Sequence, residues 1–247
     1  MSAKERIDVL GVGFDSLRMD EAISIALQSI HSHSGGWVVT PNPEIVLECR
    51  KNPQLAEAVR DAVLVIPDGI GVLYAARILK TPLQEKIPGI DFACGVMEHL
   101  AETAGRVYLF GAKPGVAEAA AKTLRSRYPG LVICGTHDGY FTDDRPIVAD
   151  IQEKRPDLLL VCLGAPKQEL WMRTHAMGLD AGLMIGLGGS LDVFAGTVQR
   201  APAGWRRLGL EWLYRLIREP RRIGRMIRLP LILLLAWRAR VFGKAKI

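Results

Sequence analysis

The stretch LLLVCLG, from Leu158 to Gly164, constrains the fold of this chain more than any other. A strand with one face in water alternates apolar and polar residues. A continuous apolar run ended by glycine needs burial on both faces, the condition of a parallel sheet covered by helices. Further strand-like segments are Ile7–Gly11, Trp37–Thr40, Val63–Ile66, Arg106–Phe110, Leu131–Gly135 and Leu183–Gly186, with the run itself read as Leu158–Leu163. Helical patterns fill the gaps at Met19–Ser32, Pro43–Ala62, Ile70–Leu79, Asp91–Ala104, Pro114–Arg127 and Arg145–Lys154. This alternation predicts an α/β open sandwich, a Rossmann-like and mostly parallel sheet flanked by helices. A chain of 247 residues, 49% of them hydrophobic, can bury one sizeable core of this kind.

In such sheets ligands bind beyond the carboxyl ends of the strands. The residues there are Thr40-Pro41-Asn42-Pro43-Glu44, Pro67-Asp68-Gly69-Ile70-Gly71, Gly111-Ala112-Lys113-Pro114-Gly115, Gly164-Ala165-Pro166-Lys167-Gln168-Glu169 and Gly186-Leu187-Gly188-Gly189-Ser190. Backbone N–H groups at a helix N-terminus attract anions, and glycine lets a phosphate approach the chain. Gly186 to Ser190, opening a helical turn over Leu191–Ala195, is the best candidate phosphate cradle. Any one of these segments is compatible with plain turn chemistry; five on one rim point to a ligand site.

Several enzyme classes are excluded. Gly11-Val12-Gly13-Phe14-Asp15-Ser16 lacks the third glycine of a dinucleotide fingerprint, and no G-x-x-x-x-G-K-[ST] occurs. No two aspartates stand two apart, so the D-x-D signature with which many nucleotide-sugar enzymes hold a divalent metal is missing. His31, His33, His99, His137 and His175 show no metal spacing, and Cys49, Cys94, Cys134 and Cys162 form no C-x-x-C, so reduced thiols are expected. No cofactor and no metal are expected. The N-terminus, MSAKERIDVLGVGF, runs directly into a strand-like segment, which leads us to expect no secretory signal and a cytoplasmic compartment.

The last fifth of the chain has a different character. Of 32 Lys and Arg and 26 Asp and Glu in all, thirteen and two fall in residues 200–247, leaving nineteen and twenty-four before them. A mildly acidic body, residues 1–199, thus carries a basic appendage, residues 200–247. In it Trp205, Leu208, Trp212, Leu213, Leu216 and Ile217 recur at helical spacing with arginines between them, and Pro220 breaks the pattern. The apolar run Leu229–Trp237 is far short of the roughly 20 residues that a spanning helix needs. A basic amphipathic appendage of this kind is expected to lie on an anionic membrane surface, apolar side down. Two other readings stay open: a helical hairpin packed on the body with solvated arginines, and a nucleic-acid arm. The continuous, largely aliphatic apolar side argues against the arm, since single-stranded binding wants aromatics spaced for base stacking.

Taken together, Thr40-Pro41-Asn42, Pro67-Asp68-Gly69-Ile70-Gly71, Gly89-Ile90-Asp91, Gly111, Gly164-Ala165-Pro166-Lys167-Gln168-Glu169, Gly186-Leu187-Gly188-Gly189, Asp192, Arg200-Ala201-Pro202, Gly209-Leu210-Glu211-Trp212-Leu213-Tyr214-Arg215 and Glu219-Pro220-Arg221-Arg222 resemble the WecG/TagA/CpsF family of bacterial glycosyltransferases, in order and from about Ile7 to Arg228. The resemblance implies transfer of a sugar, of N-acetylmannosamine type, from a UDP-sugar to a polyprenyl-pyrophosphate-linked sugar in cell-envelope or exopolysaccharide assembly. It implies Asp68 as general base in an inverting reaction, with Thr40, Asn42 and Gln168 in the same pocket. It further implies Tyr140 and Asp192 near uracil and ribose, Gly186, Gly188 and Gly189 at the pyrophosphate, and Arg215, Arg222 and Arg225 over the site or against lipid pyrophosphate. Lys86 stands where the pattern more often has Arg, keeping the charge but not the bidentate fork. The expected partners are the donor, the lipid-linked acceptor and the inner face of the plasma membrane; nucleic acid is not one, and homo-oligomer formation stays open. UDP-glucose or a UDP-uronic acid as donor, or a non-catalytic scaffold that binds UDP-sugar or lipid, are the alternatives.

Overall fold

The first strand-like segment does not join the sheet. In the computed structural model, which describes residues 6–218 and 228–243, β1 (Ile7–Val9) turns through Leu10 and Gly11, both at positive φ (56° and 93°), and pairs antiparallel with β2 (Val12–Phe14). Two successive left-handed residues make a type I′ turn, whose twist matches that of a hairpin. The end of the predicted strand is therefore the turn itself.

Six strands form the central sheet: β3 (Trp37–Val39), β4 (Leu64–Val65), β5 (Arg106–Gly111), β6 (Val132–His137), β7 (Leu158–Cys162) and β8 (Leu183–Gly186). Their order is β4-β3-β8-β7-β5-β6 and every neighbouring pair is parallel. The helices are α1 (Met19–His31), α2 (Pro43–Cys49), α3 (Pro53–Arg60), α4 (Ile70–Ile78), α5 (Gly89–Glu102), α6 (Val116–Arg127), α7 (Arg145–Lys154), α8 (Lys167–His175), α9 (Ser190–Phe194), α10 (Ala203–Arg207), α11 (Glu211–Arg218) and a C-terminal helix (Arg228–Phe242).

Strand β7 explains the layering. Its side chains alternate across the sheet: Leu158, Leu160 and Cys162 enter a core with α1, α5, α6 and α9, while Leu159 and Val161 enter another with α2, α3, α4, α7, α8 and the C-terminal helix. All five are buried, which is why the segment can be apolar throughout. Burying each such leucine stabilises the fold by about 1.5–3 kcal/mol.

The single helix predicted over Pro43–Ala62 is two. Proline at 53 has no N–H to donate and disfavours helical backbone at the residue before it. Asn52 is accordingly extended (φ −119°, ψ 96°), and its side chain accepts the Leu55 N–H to cap α3.

The C-terminal helix docks its inner stripe, Ile232 and Ala236, against α2 and α4. The approach is tight at Gly71, where an added Cβ would collide with Leu229 and stand 2.8 Å from Pro43 Cγ. Leu231, Leu234, Trp237 and Val241 face outward from the same helix. Among the described residues, no helix is long and apolar enough to cross a membrane.

Candidate active site

The turns after β3 and β4 lie side by side. Ile66 N–H donates to Val39 O at 3.0 Å and Asp68 N–H to Pro41 O at 3.2 Å, which brings Thr40–Asn42 against Pro67–Asp68. Gly69 (φ 96°, ψ 139°) follows in a conformation that favours glycine and takes the N-cap position of α4. Gly69, and not Asp68, is therefore the N-cap residue of that helix, and Asp68 stands half-buried on the rim. Ile87 N–H donates to Pro67 O at 2.9 Å, so half-buried Lys86 arrives beside the same turn.

The other predicted pocket residues are working parts of the scaffold as well. Asn42 Oδ1 accepts from the N–H groups of Glu44 and Ile45 at 2.9 and 3.1 Å and caps α2. Buried Thr40 donates from Oγ1 to Gly186 O at 3.2 Å, joining the ends of β3 and β8. Gln168 is also buried, and its Oε1 accepts the Gly188 N–H at 2.9 Å. Thr40 and Gln168 thus hold the Gly186–Gly189 turn from both sides. The Gly188 N–H is occupied within the protein, so this glycine offers open space at positive φ (53°) and not a donor for phosphate. Asp192 lies on α9, where an added Cβ on Gly189 would be 3.9 Å from its Oδ2.

Tyr140 comes from farther along the sheet. It is exposed (68%) on the loop after β6, an edge strand three neighbours from β8, but the loop folds back over the ends of β5 and β7, where an added Cβ on Gly139 would be 3.0 Å from Leu163 Cδ2. The loop is held in place. Gly139 N–H donates to Ala112 O at 2.9 Å, and Lys167 Nζ donates to Gly139 O at 3.1 Å while lying 3.9 Å from the centre of the Phe141 ring. Arg215 belongs to α11; Arg222 and Arg225 lie outside the described residues, as does the break at Pro220.

Two charged groups that sequence reasoning left without a role prove central to the geometry. Arg200 donates from Nη2 to Asp91 Oδ2 at 2.7 Å in a bidentate pair, and its Nε is 3.8 Å from Glu211 Oε1 at the start of α11. Burial works against its charge, but the Asp91 hydrogen bonds and the charges of Asp91, Glu211 and Asp68 outweigh it and raise its pKa. The second group is Glu169, fully buried, with its pKa raised by that burial. Both residues stood in the motifs quoted above, but with no pattern to suggest what they touch. The four thiols are free. Burial, helped by the charge of Glu169, pushes Cys49 up to about 12, and burial pushes Cys162 to about 12, so neither is a nucleophile at neutral pH.

Chemically, the rim joins a half-buried carboxylate, a lysine beside it and a glycine turn with open space, on strand ends locked together by internal hydrogen bonds. That arrangement can receive a phosphorylated ligand and take a proton from a hydroxyl next to it. Among the described residues no cluster of three or more His, Cys, Asp or Glu side chains is disposed to share one metal ion.

Comparison with known proteins gives this chemistry a context. The model of the family described as glycosyl transferase WecG/TagA/CpsF matches residues 7–246. A Staphylococcus aureus (strain MW2) protein named N-acetylglucosaminyldiphosphoundecaprenol N-acetyl-beta-D-mannosaminyltransferase is 36% identical over 231 residues, 92% of this chain and 91% of the relative. A protein of the same name from Bacillus spizizenii is 35% identical over 201 residues, 81% of this chain and 78% of the relative.

Proposed function

The chain belongs to the glycosyl transferase WecG/TagA/CpsF family, and from that membership we propose that it moves an N-acetylmannosamine-type sugar from a UDP-sugar to a sugar carried on polyprenyl pyrophosphate, inverting the anomeric carbon. The observation that carries this reading is the match over nine-tenths of both chains to a relative whose name specifies a diphosphoundecaprenol-linked acceptor and a mannosaminyl group. The half-buried Asp68, at the rim just before the Gly69 N-cap of α4, supports the chemistry.

In this mechanism Asp68 accepts the proton of the acceptor hydroxyl as its oxygen attacks the anomeric carbon. The new C–O bond forms on the face opposite UDP, the bond to the UDP oxygen breaks, and UDP leaves with the electron pair. A positioned general base contributes about 10²–10⁴-fold. Negative charge growing on UDP needs fixed positive partners, and Lys86 beside the Asp68 turn, together with Arg215, Arg222 and Arg225 of the appendage, fill that role. Tyr140 and Asp192 receive the uridine. The turn at Gly186, Gly188 and Gly189 leaves room for the diphosphate, and Thr40 and Gln168 keep it open.

Residues 1–199 are then the donor-binding catalytic body and residues 200–247 the appendage that meets the inner face of the plasma membrane. The outward stripe Leu231, Leu234, Trp237 and Val241, with exposed Arg238 and Arg240 beside it, suits an interface in which apolar side chains enter the headgroup boundary and arginines meet lipid phosphates. The test is UDP release from a panel of UDP-sugars on adding a polyprenyl-pyrophosphate-linked acceptor. Acceptor-dependent release from a UDP-N-acetylmannosamine-type donor supports the proposal; acceptor-dependent release from another UDP-sugar alone would replace the donor.

A further inference from the structure

The hydrogen bonds of Gln168 depend on the residue after it. The Gly188 N–H can only donate, so Gln168 must turn Oε1 towards it. That points Nε2 into the interior beside Gly186, where an added Cβ would be only 3.0 Å from it. A buried donor left there without a partner costs about 1–3 kcal/mol. Glu169 Oε1 accepts it at 2.8 Å. Flipping the amide would set a donor against the Gly188 N–H. The Gly188 N–H fixes the orientation of Gln168, and Glu169 satisfies the amide nitrogen that this orientation turns inward.

We propose that Glu169 is a positioning residue of the donor site, acting through the Gln168 amide to hold the Gly186–Gly189 turn open for the donor's diphosphate. The proposal rests on the reading of that turn given under Proposed function. Glu169 is fully buried, and its Oε2 has no hydrogen-bond partner among the described residues. One carboxyl oxygen has a partner and the other is idle, which is the signature of an acceptor placed for a neighbour and not of a charge placed for an ion pair. Burial favours its neutral form, which lowers the cost of keeping it there.

The assignment predicts a graded series in the full-length protein. Glu169→Gln retains a carbonyl oxygen for Gln168 Nε2 and replaces only the unpartnered Oε2 with an amide nitrogen, so donor affinity should stay within about two-fold. Glu169→Met keeps the volume and removes the acceptor; UDP-sugar affinity by calorimetry, and KM for the donor, should weaken about ten-fold, the effect of roughly one lost hydrogen bond, with kcat changed far less. Glu169→Asp withdraws the carboxyl by one methylene and should give the same KM-selective defect to a smaller degree, which keeps the test available if the Met variant does not fold. Equal donor affinity in the wild type, the Met variant and the Asp variant would overturn the positioning role while leaving the donor reading intact. Failure of the wild type to bind any UDP-sugar would remove the donor reading, and the positioning role with it.

Discussion

Replacing Arg200 by methionine should loosen the joint between the body and the appendage at a predictable cost. The guanidinium reaches both Asp91 on α5 and Glu211 on α11. Methionine keeps much of the aliphatic stem and removes the fork. An exposed ion pair is worth about 0–1 kcal/mol, and breaking a fully buried one costs about 3–5 kcal/mol. The side chain of Arg200 is 17% exposed, that of Glu211 17% and that of Asp91 37%, so Asp91 regains part of its hydration when the partner goes. The case falls between the limits, at about 2 kcal/mol. For a chain of this length, that corresponds to a fall in Tm of about 4–8 °C. Urea unfolding should show a lower midpoint with an unchanged slope, and Arg200→Lys, which keeps the charge but not the two parallel bonds, should lose about half as much. Because the pair is partly buried, most of the effect should persist at 0.5 M salt, where the Debye length is about 4 Å and exposed pairs are screened. A change in Tm below about 1 °C for the methionine variant would refute the reasoning.

Other perturbations follow from the same geometry. Gly71→Ala puts a Cβ against Leu229 and Pro43; it should release the C-terminal helix before the core unfolds, seen as faster proteolysis at Arg238 and Arg240 with little change in core amide protection. Glu169 has a pKa above its ordinary 4.5 in the folded chain, so the native state binds more protons than the unfolded state between the two values and stability falls as pH rises through that window. Glu169→Gln removes this dependence, and its stability relative to the wild type should improve as pH rises above about 4.5 and then level off, as measured by urea midpoints across pH. Cys49 and Cys162, pushed to about 12, should resist iodoacetamide at pH 8 in the native protein and react once it is unfolded; fast native labelling of either, followed by mass spectrometry, contradicts their placement.

Much of the fold is legible in the residues because β7 states its own environment: five apolar residues in a row have no stable place except between two helical layers. The hairpin at the start is harder to read. Leu10-Gly11 adopts a type I′ turn without the Asn-Gly or Asp-Gly pair that normally signals one, and three-residue strands leave too little alternation to detect. The break between α2 and α3, by contrast, is written in Asn52-Pro53, a helix stop and cap in two residues. In the C-terminal helix, apolar residues lie on every side, so the periodicity does not say which stripe faces the core; contact with Gly71 on α4 decides it. At the site, the rim was readable from the residues that end the strands, and the division of labour was not. Gln168 and Gly188 are twenty residues apart, and Arg200 and Asp91 more than a hundred. Such pairings arise only when the sheet order sets β7 beside β8 and brings the chain after α9 back to α5.

The proposed transfer chemistry turns on Asp68. The decisive measurement is acceptor-dependent UDP release by wild-type protein and by Asp68→Asn, with donor binding and thermal unfolding followed in parallel. The expected result is release by the wild type, a loss of about 10²–10⁴-fold in kcat for the variant, and donor affinity and Tm close to those of the wild type. Near-normal turnover by Asp68→Asn would contradict the assignment of this carboxylate as the base.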